Sequence, residues 1–243
     1  MTTKQNASRS LMRTLSDECL ALLFPIQCLG CDTVGDWFCA DCQSASELRA
    51  SLDFCQLCGR SVANPGELCS FHQSATGLTG LISYANYHAP PIRAALHLMK
   101  YQGIWAGLAP LSHIAWHSRW RYLRGQSWSA VLPIPLHPSR LRVRGYNQSE
   151  LLARPLRNRL TQPHRLDLIR PTATLQQVGL NRADRLRNMQ AAFRWRGSAL
   201  SGRVLLVDDV VTTGATLISA AACLRDSGAQ EIWACTLVYE SLD

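Results

Sequence analysis

Val204 to Thr216 reads V-L-L-V-D-D-V-V-T-T-G-A-T: an apolar run, two adjacent carboxylates, then small hydroxyl-bearing residues and a glycine before helical periodicity resumes. Val204, Leu205, Leu206 and Val207 are apolar at every position, not at every second one, the pattern of a parallel strand covered on both faces. Asp208 and Asp209 then fall at the carboxyl end of that strand, where open α/β sheets bind ligands. Thr212, Thr213, Gly214 and Thr216 stand where the chain turns into a helix. Backbone N–H groups and hydroxyls converge there on one point, a setting that favours phosphate. Helix capping accounts for one acidic residue, but not for two followed by T-T-G-A-T.

A ligand suited to both halves carries a phosphate and, close by, a diol or a metal for the carboxylates. Ribose 5-phosphate has both. The run resembles the phosphoribosyl-diphosphate (PRPP) motif of type I phosphoribosyltransferases. That resemblance implies that Asp208 and Asp209 hold the ribose hydroxyls, directly or through Mg²⁺, while Val211, Thr212, Thr213, Gly214, Ala215 and Thr216 cradle the 5-phosphate.

Outward from the motif, strands alternate with helices from residue 80 onward, which predicts a parallel α/β sheet. Leu81 to Tyr87 reads as a strand or hairpin arm, and Pro90-Pro91 starts a helix that runs to Gly103. Lys100 near its end either favours the negative end of the helix dipole or reaches the ligand. Leu108 to Leu123 is a second helix; its His113 and His117, four apart, lack the glutamate-containing motif of a helical metal site. Ala130 to Pro135 is a short buried strand leading into a loop that carries Arg140, Arg142 and Arg144. Asn147 then caps a helix, with Glu150 at the capping-box position. A strand end, arginines and a capped helix make an anion site suited to diphosphate, with Arg140 and Arg144 as its candidate residues. Leu166 to Arg170 reads as a strand, and Thr174 to Phe193 as a loop followed by a helix, where Gln177, Arg185 and Asn188 could close over a ligand. Glu231 to Tyr239 is the last strand, after a turn at Gly228.

Eight of the ten cysteines fall in the first 69 residues. Cys28 and Cys31, Cys39 and Cys42, Cys55 and Cys58, and Cys69 and His72 make four half-sites, each spaced by two residues. Paired knuckles of this kind complete closed tetrahedral shells for zinc, so two structural sites are expected. Sequential pairing gives Cys28, Cys31, Cys39, Cys42 and Cys55, Cys58, Cys69, His72; a cross-braced pairing has the same spacing. Cys19, inside an amphipathic stretch over residues 10–24, has no such partner and reads as a packed thiol.

The net charge of +8 is unevenly placed: Arg119 to Arg196 holds sixteen arginines against Glu150, Asp167 and Asp184. A lysine-free, arginine-rich segment suits bidentate binding of phosphate oxygens, whether of a diphosphate or of a nucleic-acid backbone. No apolar run approaches the roughly 18 residues of a membrane helix, and the first residues lack a signal peptide's apolar stretch, so a cytoplasmic protein is expected.

Taken in order, the four cysteine half-sites, P-I-P-L-H-P-S-R-L-R-V-R-G-Y-N-Q-S, Q-V-G-L-N-R-A-D-R-L-R-N-M-Q-A-A-F and the Asp208–Asp209 motif resemble the ComF/GntX family of phosphoribosyltransferase-like proteins. Leucine spacing ended by Pro25 predicts an N-terminal amphipathic helix over residues 1–24; the resemblance implies a double zinc ribbon, placed over 25–75, and a type I phosphoribosyltransferase-like domain, over 76–243, with helices on both faces of its sheet. It also implies a link to natural competence and the use of DNA. Two functions follow: a Mg²⁺-dependent, PRPP-using pentosyl transferase, and a non-catalytic adaptor for single-stranded DNA, the DNA-uptake helicase and recombination-mediator proteins. Thr212 occupies the position at which 6-oxopurine transferases carry an acidic base, and threonine cannot serve as one near neutral pH.

Overall fold

The structure, a computed structural model, describes residues 25–44, 50–101, 108–162, 165–171 and 192–240. The expected helix over 10–24 with Cys19, and Gln177, Arg185 and Asn188, lie outside the described residues. By compactness the chain divides into two units, Met1–Ala45 and Ser46–Asp243.

The first unit is built around a knuckle. Gln27 and Val34 form an antiparallel bridge, and the amide of Cys28 donates to the Thr33 carbonyl at 2.9 Å, folding Cys31 back toward Cys28. Asp32 takes the left-handed conformation that closes this turn, and a short helix, α1 (Ala40–Ser44), carries Cys42.

The second unit holds α2 (Ser70–Thr76), β1 (Gly80–Asn86), α3 (Pro90–Tyr101), α4 (Leu108–Arg124), β2 (Trp128–Pro133), α5 (Pro138–Arg144), α6 (Gln148–Arg159), β3 (Leu168–Ile169), β4 (Arg194–Trp195), β5 (Arg203–Val211), α7 (Ala215–Asp226) and β6 (Glu231–Tyr239). Four strands form one parallel sheet in the order β1-β6-β5-β2. The expected apolar strand is its centre: Val204 to Val207 are 0% exposed, with β2 and β6 hydrogen-bonded on either side. On β6 the one polar group of the interior, Thr236, meets Ser83 of β1 hydroxyl to hydroxyl at 2.6 Å, so neither is left unpaired.

Residues 52–79, which carry the second cysteine cluster, are sewn onto β1 and β6. The amide of Leu81 donates to the Gly66 carbonyl at 2.8 Å, that of Thr79 to Ile232 at 2.7 Å, and the amide of Ser83 to the side chain of Gln56 at 3.0 Å. Cys55, Leu57 and Leu68 lie in the same apolar core as Leu81, Leu206 and Leu224. Cysteine content changes at residues 74–79, but packing does not.

Two local expectations differ from what is observed. The arginine-rich stretch after β2 is helical: Pro138 stands in the first turn of α5, His137 caps it by accepting from the Ser139 amide, and Gly145 ends it at φ 80°. Leu168–Ile169 joins no parallel sheet; it pairs antiparallel with Arg194–Trp195.

Candidate phosphate and metal sites

The carboxyl end of β5 is the chemically loaded edge of the sheet. Asp208 is buried there, and its Oδ1 accepts from the Ser149 hydroxyl at 2.8 Å and from the Asp209 amide at 2.9 Å. Ser149 is held by the start of α6, where Asn147 accepts from the Ser149 amide and donates its Nδ2 to the Ile134 carbonyl at 3.0 Å. The Ile134 amide in turn donates to the Val207 carbonyl at 2.9 Å, so β2, α6 and β5 are locked together around one carboxylate. Glu150 takes a bidentate ion pair with Arg157, at 2.7 and 3.1 Å.

Burial, then the charge of Asp209 beside it, pushes the Asp208 carboxyl up to about 8, against the opposing pull of the Ser149 hydroxyl and the Asp209 amide. Without a cation, Asp208 therefore holds a proton near neutral pH. Around the pair stand cationic and phenolic groups. Arg170 is buried, its guanidinium 5.4 Å from the Phe193 ring; its pKa is lowered by burial and by Arg140, with Asp208 acting the other way. Tyr146 is raised by burial, with Arg144 lowering it and Asp209 adding to the rise. Arg170 thus lies within electrostatic reach of Asp208 and Tyr146 within reach of Asp209, while Arg140 acts on Arg170 and Arg144 on Tyr146.

Beyond β5 the chain turns through Thr212, Thr213 and Gly214 into α7. Gly214 caps the helix at φ 72°, a conformation that strains other residues, and the Ala215 amide is within 3.5 Å of Thr213 Oγ1. The hydroxyls of Thr212, Thr213 and Thr216 and the first amides of α7 thus follow directly on Asp209, and Val211 is fixed from behind by the Glu240 amide at 2.8 Å. Lys100 lies in the last turn of α3; its side chain lies outside the described residues.

Three groups at this edge were not singled out by sequence reasoning as ligand groups: Ser149, Tyr146 and Arg170. The first two sit in Y-N-Q-S at the start of α6. Arg170 follows a two-residue strand whose only pairing is with β4, so no local pattern marks it.

The cysteines gather as sequential pairing expects. Cys28, Cys31, Cys39 and Cys42 form one cluster and Cys55, Cys58, Cys69 and His72 the other, the ligand atoms of each lying within 4.8 Å of one another. A tetrahedron with Zn–S arms of about 2.3 Å has edges of about 3.8 Å. Cys58 and Cys69 sulfurs are 3.8 Å apart, Cys31 and Cys39 3.5 Å, and His72 Nδ1 lies 3.5 and 3.3 Å from the sulfurs of Cys55 and Cys69. The donor set and its spacing fit zinc. Burial works against the Cys28 thiolate, yet the amides of Cys39, Gly30 and Cys31 bring its thiol down to about 6, which suits a metal ligand. His113 and His117 are exposed and, among the described residues, belong to neither cluster.

Comparison with known proteins bears on both sites. The family described as "Phosphoribosyl transferase domain" matches residues 185–241, the span of β5, α7 and β6. Competence protein F of Haemophilus influenzae is 29% identical over 220 residues, 86% of this chain and 95% of that protein. DNA utilization protein YhgH of Salmonella typhimurium is 32% identical over 204 residues, 80% of this chain and 88% of that protein. Competence protein ComFC of Streptococcus pneumoniae is 32% identical over 105 residues, 43% of this chain and 46% of that protein. With a likeness of this length, a phosphoribosyltransferase-type sheet and two cysteine clusters ahead of its motif strand, the chain belongs to the ComF family of competence and DNA utilization proteins.

Proposed function

We propose that this protein binds PRPP, or a closely related ribose phosphate, at the carboxyl end of β5, and that it serves the uptake or use of DNA in the cytoplasm. The observation that carries the reading is the succession of a buried Asp208, a half-buried Asp209 and the Gly214-capped start of α7 within eight residues, Asp208 to Ala215. The DNA role is supported by the relatives' names.

In this reading the amides of Gly214, Ala215 and Thr216 and the Thr213 hydroxyl hold the 5-phosphate, with Thr212 and Val211 shaping the turn. Asp209 and Asp208 face the ribose hydroxyls. Two adjacent carboxylates supply the hard oxygen donors that Mg²⁺ takes, and its charge would relieve the burden that makes Asp208 hold a proton. Bound there, Mg²⁺ would help neutralise a departing diphosphate. Arg140 and Arg144 would take diphosphate oxygens as charge develops, the main assistance a pentosyl transfer at C1 needs. Lys100 is assigned to the same ligand. Thr212 supplies no base, so an acceptor that carries its own nucleophile is the one this site suits. Each cysteine cluster holds one structural zinc, its four positions filled by protein.

Calorimetric titration of zinc-loaded protein with PRPP, with and without Mg²⁺, tests the reading. Mg²⁺-dependent binding that disappears in the Asp208→Asn, Asp209→Asn double variant is the expected result. Equal heats in wild type and double variant would overturn it.

A further inference from the structure

Gln148 is only 2% exposed, and its side-chain Nε2 has no hydrogen-bond partner. Buried polar groups in folded proteins are paired with few exceptions, and each exception asks for a reason. Gln56, the other deeply buried glutamine with an unpaired Nε2, has a structural duty: its oxygen accepts from the Ser83 amide and ties the second cysteine cluster to β1. Gln148 has no such duty. Among the described residues, neither end of its side-chain amide is hydrogen-bonded.

Its place in the fold supplies the reason. Gln148 opens α6, between Asn147, which caps the helix, and Ser149, whose hydroxyl reaches Asp208. Gln148 and Ser149 stand three and four positions before Leu152, which is 0% exposed, so both lie on the buried side of the helix. Cα–Cβ bonds tilt toward a helix's N-terminus, and the first helical residue has no preceding turn to lie on. The Gln148 side chain therefore leans past the helix end, where Ser149 meets the β5 edge. Its backbone amide is one of the orphan donors of a helix start, since the Asn147 oxygen satisfies the amide of Ser149 instead. Three residues, Gly145 to Asn147, separate it from Arg144, the last residue of α5.

We propose that Gln148 recognises the diphosphate on C1, so that the site takes PRPP in preference to ribose 5-phosphate. This inference rests on the ribose-phosphate reading above and names which ligand of that class the site takes. Two N–H donors at a helix N-terminus, one of them buried, call for an anion. The 5-phosphate is already assigned to the start of α7, so the anion at α6 belongs to the other end of the ribose. Ribose 5-phosphate offers only a hydroxyl there. A site with a buried donor discriminates strongly against a ligand that leaves the donor unpaired.

Calorimetric titration of the full zinc-loaded chain with PRPP and, separately, with ribose 5-phosphate, both with Mg²⁺, tests the assignment in wild type and Gln148→Met. Methionine fills nearly the same space and has no donor. The variant should bind PRPP about 10- to 100-fold more weakly, the range of a hydrogen bond to a charged acceptor. Its affinity for ribose 5-phosphate should stay within about twofold of wild type, so the preference for PRPP shrinks by the same factor. Gln148→Glu, which keeps the shape and puts a negative charge in place of the donor, should lose PRPP at least as severely. The ligand-free Gln148→Met chain should melt no lower than wild type, because it replaces a donor that the fold leaves unpaired. A clearly lower midpoint would show a structural bond and overturn the proposal. Equal PRPP affinity in Gln148→Met and wild type, or no preference for PRPP in wild type, would overturn it while leaving the ribose-phosphate reading in place. Wild type that binds neither ligand would overturn that reading, and the role of Gln148 with it.

Discussion

Among single residues, Asp208 is the one on which the β5 edge is built. Its carboxyl is raised to about 8 by burial and by Asp209, well above the roughly 3.9 of an exposed aspartate. A group raised on folding contributes stability that is fully present below its unfolded pKa and lost as pH climbs through the folded one. Urea denaturation of wild type should therefore show unfolding free energy falling between about pH 4 and pH 8, with a contribution from Asp208 of at most about 1.4 kcal/mol per pH unit. Asp208→Asn keeps an oxygen for Ser149 and for the Asp209 amide but cannot ionise, so this component should vanish and the variant should gain on wild type as pH rises. Ligand binding should move the opposite way, because a cation or ribose hydroxyl needs the ionised carboxylate: affinity for PRPP with Mg²⁺ should climb up to about pH 8. Ser149→Ala removes a hydrogen bond to a charged acceptor, worth about 1.5–3 kcal/mol, and should shift that climb to higher pH. Asp208 and Asp209 were legible in the sequence because a continuous apolar run has only one carboxyl end. Ser149 was not, since its role depends on Asn147 reaching the Ile134 carbonyl, just past the end of β2.

Among the elements, the sharpest constraints are glycines where neighbouring pieces touch. A Cβ on Gly80, at the start of β1, would fall 2.3 Å from the Trp233 ring and 2.6 Å from the Gly66 carbonyl oxygen. Gly80→Ala must push apart the β1–β6 pair and the segment leading from the second cysteine cluster, and overpacking of this kind costs about 1–3 kcal/mol. Gly228, after α7, has φ +103°, and its Cβ would lie 2.4 Å from the Leu200 carbonyl oxygen, so Gly228→Ala should cost at least as much. Thermal unfolding followed by circular dichroism measures both; an unchanged midpoint in either variant would contradict the packing described. The parallel strands β1, β2, β5 and β6 and the helices α3, α4, α6 and α7 follow from local periodicity and caps, which is why their extents agree with the expectation to within a few residues. α5 was hidden because P-I-P-L-H-P reads as a breaker, although Pro138 in a first helical turn needs no N–H partner. The β3–β4 pair was hidden for another reason: two residues carry no periodicity, and their partnering is fixed only by tertiary packing.

For the molecule as a whole, the second cysteine cluster and the sheet share a core, so a metal held there would be coupled to the fold. Structural zinc supplies about 10–16 kcal/mol of apparent binding energy to such modules, and Cys55, in one core with Leu57, Leu68 and Leu81, is where that energy would meet the sheet. Cys55→Ser should lower the unfolding midpoint of the sheet unit itself, read from far-ultraviolet dichroism, with loss of one zinc per chain by metal analysis. An undisturbed sheet in that variant would mean the cluster is an appendage. Spacing named the eight candidate ligands and left two pairings open; the fold gathers them in the sequential one. Spacing could not reveal that one cluster packs with the sheet, because packing depends on apolar residues between the ligands and not on the ligands. A crystal structure of the zinc-loaded protein with PRPP and Mg²⁺ decides whether the β5 edge is the ribose-phosphate site. The 5-phosphate should lie against the amides of residues 214–216 and the Thr213 hydroxyl, with the ribose hydroxyls toward Asp208 and Asp209. A ligand bound elsewhere, or an empty β5 edge at saturating PRPP, would contradict it.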